Sequence, residues 1–178
     1  MNQRARVFGA ACLVLALGTL RPAAQTVSVQ AEMLKDWTGL KETMDKIASA
    51  MPDDKFSFKS TPAQRDFGEQ IMHVAQVNAR FLGLVGAKAT APSIDPKATG
   101  KAATIKAMND SFDYGAALIK EFNDQSILAA APMAPPFLGP STRARVVYGL
   151  LGHTWDIYGQ MVVYLRLNGA VPPASQRP

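Results

Sequence analysis

The chain has 178 residues, of which 48% are hydrophobic and 19% charged, with a single cysteine and a formal net charge of +5. That length supports one compact domain, and the hydrophobic share is that of a globular chain rather than a disordered or fibrous one. One cysteine excludes an intrachain disulfide and any multi-thiolate metal centre.

The chain opens with "MNQRARVFGAACLVLALGTLRPAAQ", which holds Arg4, Arg6 and Arg21 and no acidic residue. A basic start, an apolar run from Val7 to Leu20 and a small-residue exit read as a secretory signal peptide over residues 1–25. A retained anchor is the competing reading, but the run falls short of the ~20 residues a membrane-spanning helix needs. Cleavage near Ala24 or Gln25 lowers the net charge from +5 to about +2 and leaves no basic footprint for nucleic acid. It also removes Cys12, so the mature domain, residues 26–178, is expected to have no thiol nucleophile or ligand. The expected location is periplasmic or secreted, with no membrane span in the mature form.

Four helices are predicted after the leader. The first spans Val29 to Ala50, where Met33, Trp37, Leu40, Met44 and Ile47 recur at three- and four-residue steps. It ends at Pro52. The second is expected to start at "TPAQ", with Thr61 as cap and Gln64 at the capping-box position, and to end near Gly86. The third runs from Lys101 to Ile127 on a stripe through Ile105, Met108, Phe112, Ala116, Ile119 and Phe122. "AAAPMAPPFLGPST" follows, a proline-rich crossover expected to pack Met133, Phe137 and Leu138 over an open end of the bundle. The fourth helix spans Thr142 to Asn168, stopped by Gly169 with Pro172 and Pro173 beyond. No strand pattern appears. The fold expected is an all-α four-helix bundle.

The chain's two histidines, His73 and His153, fall on the second and fourth helices. His153 shares a face with Val146, Leu150, Ile157 and Met161 and so points inward; His73 sits at the border of its helix's apolar face. Two imidazoles from facing helices can meet inside a bundle, where such folds build metal sites. The residue four after His153 is Ile157, which has no donor; the residue three after is Asp156, which does. His73, His153 and Asp156 together would form a two-histidine, one-carboxylate set suited to Fe, Mn or Zn. The plainer reading is two core histidines and a solvated Asp156, or one paired with an arginine such as Arg80. No phosphate loop, nucleophile elbow or HExxH motif occurs.

"DWTGLKETMDKIASAMPDDKFSFKSTPAQRDFGEQIMHVAQVN" followed by "HTWDIYGQMVVYLRLNGAVPPAS" resembles the DinB-like superfamily over nearly all of residues 26–178. The resemblance implies a four-helix bundle. It also implies a divalent metal (Zn, Ni, Mn or Fe) held by three histidines, one on the second helix and two at i and i+4 on the fourth. His73 and His153 match two of these, and Ile157 stands at the third. Relatives with the full set often carry an acidic residue at the place of Asp156, beside the ligands. Some relatives use cytoplasmic thiols, which an exported, thiol-free domain does not suit, so no organic cofactor is expected. Two functions follow as expectations. One is a metal-dependent hydrolase or transferase in which Asp156 or Gln160 completes the shell. The other is a non-catalytic bundle that binds a small apolar molecule or a protein partner. A homodimer is also expected. Val147, Leu151, Trp155, Tyr158, Val162 and Leu165 widen the apolar surface of the last helix, unless the proline-rich segment folds back over it.

Overall fold

The computed structural model describes residues 27–176; the leader, its cleavage site and Cys12 lie outside them. Five α-helices and no strand occur among these residues: α1 (Val29–Ala50), α2 (Phe67–Leu82), α3 (Lys101–Lys120), α4 (Asp124–Leu128) and α5 (Arg143–Leu167). The four long helices close a ring in which α1 packs on α3, α3 on α2, α2 on α5 and α5 on α1. The inward faces of α1 and α3 are those the periodicity marks. Met33, Trp37, Leu40, Met44 and Ile47 are buried on α1; Met108 and Phe112 are buried on α3. None of the described helices is long and apolar enough to cross a membrane.

α1 and α3 approach closely where Trp37 meets Phe112 and Gly115. The Trp37 indole donates to the Phe112 carbonyl oxygen at 2.8 Å and sits against the Phe112 ring, with centroids 5.1 Å apart. Gly115 makes room for it: a Cβ there would lie 2.4 Å from Trp37 Cζ2.

α2 ends at Leu82, four residues short of Gly86, and two further boundaries differ from the expectation. α2 begins at Phe67, not at Thr61, because Asp66 and Glu69 form a reciprocal capping box at that point. The backbone bonds Phe67 N to Phe58 O and Gly68 N to Phe56 O hold that start, and "TPAQ" closes a turn instead. The predicted third helix is two helices. Asn123 caps α4 by a second reciprocal box with Ser126, and this restart breaks a stripe that is apolar on both sides of it. α4 then ties back to the start of α1, where the Asp124 carboxylate accepts from Ser28 Oγ at 2.8 Å and Gln30 N at 2.9 Å.

The proline-rich crossover does not close an end of the bundle. Met133 N donates to Leu84 O, and the Arg143 guanidinium donates to the carbonyl oxygens of Val85 and Ser126. These bonds hold the segment near the end of α2. It then runs over the α2–α5 groove, where Phe137 meets the Phe81 ring edge-on at 5.6 Å and Leu138 covers Gly149. The fold-back over α5 therefore occurs, and it leaves a hollow beneath.

Candidate functional site

α2 and α5 face each other, and this brings the two histidines together. His73 Nε2 and His153 Nε2 lie 3.1 Å apart, with ring centroids 5.0 Å apart and planes tilted by 66°. At 3.1 Å one nitrogen donates to the other, so the pair shares one ring hydrogen. His153 Nδ1 is buried and has no partner. A buried N–H without an acceptor costs more than a buried lone pair without a donor. His153 is therefore the donor through Nε2–H, its bare Nδ1 is the tolerated orphan, and His73 Nε2 accepts.

Both rings are held neutral. Burial pushes the His73 imidazole down to about 4, with the Arg65 guanidinium and His153 adding to the shift. Burial also lowers His153; the Asp156 carboxylate opposes this and Arg65 adds to it. Arg65 is placed by its own backbone, whose carbonyl oxygen accepts from the Tyr164 hydroxyl at 2.5 Å.

The pair forms one end of a cavity of about 410 Å³. α2 contributes Val77, Arg80 and Phe81 to its wall, and α5 contributes Val146, Gly149 and Leu150. Pro135, Phe137 and Leu138 of the crossover form the rest. Carbon dominates this lining, and the two imidazoles and the Arg80 guanidinium supply its polar side chains. His73 also lines a larger polar hollow of about 800 Å³, bordered by Lys59, Arg65, Glu69 and Lys97.

Asp156 is exposed on α5. Its Oδ2 accepts from Gln160 Nε2 at 3.0 Å, and Gln160 Oε1 accepts from the buried Gln70 Nε2 at 2.8 Å. Asp156 thus anchors an amide relay across α2 and α5, and Arg80 is not its partner. Among the described residues no group of three or more His, Cys, Asp or Glu side chains is arranged to hold a metal ion. Ile157 is 2% exposed and packs in the core.

The imidazole spacing bears on an ion directly. Two neighbouring imidazole ligands at Zn–N distances of about 2.0–2.1 Å sit roughly 2.9–3.4 Å from each other, so 3.1 Å fits two adjacent positions of one shell. The surroundings fit less well, because a ligating histidine normally donates its other ring N–H to an acceptor and His153 Nδ1 has none.

The sequence identified both histidines. It missed the Gln70–Gln160–Asp156 relay and the cavity, whose third wall depends on where the crossover lands. The prolines of that segment signalled a stiff connection but not its direction.

The sequence pattern of the DinB superfamily matches residues 37–161. A DinB-like protein from Bacillus cereus ATCC 10987 has a similar structure, with 18% identity and a TM-score of 0.61 over 82% of this chain and 96% of that one. The DinB-like protein YjoA from Bacillus subtilis gives 13% identity and a TM-score of 0.64 over 82% and 99%. At such identities the likeness is one of fold. No curated protein matches the sequence.

Proposed function

The chain belongs to the DinB superfamily, and we propose that within it this protein binds a small, largely apolar molecule over the His73–His153 pair. The observation that carries this is the 410 Å³ cavity, walled by carbon and ended by two hydrogen-bonded imidazoles. Sites for small molecules have this make-up, apolar walls with a few placed polar groups. In the tautomer set by the pair, the hydrogen of His73 is on Nδ1, and this N–H can orient a hydroxyl or carbonyl oxygen on the bound molecule. The test is fluorescence titration of the full chain with N-phenyl-1-naphthylamine, a neutral apolar probe. Saturable binding at one site is expected, and Val77→Trp, which fills the cavity, is expected to abolish it. No saturable binding, or equal binding by Val77→Trp, refutes the reading.

A second reading, a divalent-metal-dependent hydrolase or transferase, is favoured by the 3.1 Å spacing of two neutral imidazole nitrogens. In it His73 and His153 hold the ion, whose Lewis acidity would polarise a substrate oxygen or acidify a water. Asp156, whose Oδ2 accepts from Gln160 Nε2, would be the third ligand, with solvent or substrate in the remaining positions.

Export belongs to the same proposal and rests on the leader pattern of residues 1–25. So does a homodimer through the outer face of α5. Val147, Leu151 and Leu165 are used inside the subunit, but Tyr148, Trp155, Val163 and Leu167 stay 49–58% exposed along this helix. A second copy of the same face would cover them.

A further inference from the structure

We infer that the molecule taken up by the cavity is a monoanion, an organic carboxylate with an apolar body, whose head pairs with Arg80. The inference rests on the pocket reading above and adds the chemistry of the ligand's charged end.

Arg80 is the one charged side chain in the lining, and no carboxylate lines the cavity. Its guanidinium carbon lies 5.5 Å from the centre of the Phe81 ring, which is itself part of the wall. Among the described residues Arg80 forms no salt bridge. An exposed arginine often has no partner. Here, however, the guanidinium lies over the ring of an aromatic wall residue at the rim of the cavity, within cation–π range.

The apolar side of the match lies beside it. Phe137 is 74% exposed, and its ring is held edge-on to Phe81 rather than tucked into the core. A ligand with a hydrocarbon or aromatic body would cover Phe81, Phe137 and Leu138 while its head stays at the solvated guanidinium. A single guanidinium, with no second cation in the lining, balances one negative charge. A carboxylate has that charge and the planar geometry of the fork. A phosphate dianion would leave charge uncompensated against carbon walls. The volume, about 410 Å³, admits a body of roughly ten to twenty heavy atoms at the fill usual for such sites.

The test titrates the full chain with octanoate, octanamide and octylammonium, each competing with N-phenyl-1-naphthylamine. The three share one body and differ in head charge. Octanoate should bind about fivefold more tightly than octanamide, near the upper end for an ion pair that keeps solvent access. Octylammonium should bind more weakly than either. Arg80→Gln should bring octanoate and octanamide to equal affinity, the two being compared within the variant so that any change in the wall itself weighs on both alike. Equal binding of octanoate and octanamide, or an octanoate advantage that survives Arg80→Gln, overturns the inference while the pocket reading stands. Failure of the probe itself to bind overturns both.

Discussion

Replacing Ile157 by histidine separates the two readings of the imidazole pair. Ile157 lies on α5 between His153, which meets His73, and Gln160, which meets Gln70. It is 2% exposed, so Ile157→Ala would forfeit an apolar side chain worth about 1.5–3 kcal/mol. Ile157→His keeps most of the volume but buries an imidazole with no partner, which brings the expected loss without metal to about 3 kcal/mol. With Zn²⁺ or Ni²⁺ the deficit narrows. A third imidazole one turn from His153 should raise ion affinity at least about tenfold, or ~1.4 kcal/mol. At an ion concentration about 100 times the variant's Kd, the variant regains about 2.7 kcal/mol; the parent, then at about ten times its own Kd, gains ~1.4 kcal/mol or less. Urea unfolding of both proteins with and without the ion measures these differences. A folded Ile157→His that responds to the ion no more than the parent shows that position 157 does not reach the pair. An ion response that persists in His73→Gln/His153→Gln/Ile157→His locates binding elsewhere.

The burial of His73 predicts a pH dependence. Its folded pKa of about 4 lies below the ordinary histidine value of 6.5, so the unfolded chain takes up the proton first as pH falls. Stability from this group is complete above about pH 6.5 and is lost as pH drops toward 4. Urea midpoints at pH 8, 5.5 and 4 should fall in that order, and a flat profile contradicts the burial. Gly115→Ala drives a methyl into the Trp37 ring, so a net loss of about 1–3 kcal/mol is expected despite the helix preference for alanine. A neutral or stabilising result by thermal melting would mean the ring moves aside at no cost. Trp155→Glu should convert a dimer to a monomer in light scattering with the fold intact; a parent that is already monomeric rejects the α5 interface.

The bundle was legible because its long helices bury apolar stripes at helical spacing, and α1 matches its predicted limits residue for residue. Boundaries failed where two local signals competed. Thr61 and Gln64 form a reasonable start, but Asp66 and Glu69 form the one that the loop from Phe56 to Phe58 can hold. At Asn123 the apolar period continued through a break made by a single side-chain cap. The histidines were visible as residues, and their meeting followed from two facing helices. Their protonation, the orphan Nδ1 and the cavity were not, since each depends on contacts between elements far apart in the chain. His73 and His153 are 80 positions apart, and the wall above them is set by where four prolines steer the crossover.

The chain has two histidines, so its imidazole nitrogens give a ¹⁵N spectrum with two ring systems. Following that spectrum while the full chain is titrated with N-phenyl-1-naphthylamine at pH 7 tests the claim that the pair is the polar end of a ligand site. Both rings should start neutral and shift together along one saturable curve, with the midpoint found by fluorescence. Saturation of the probe with both rings unmoved would place the ligand elsewhere and contradict the account.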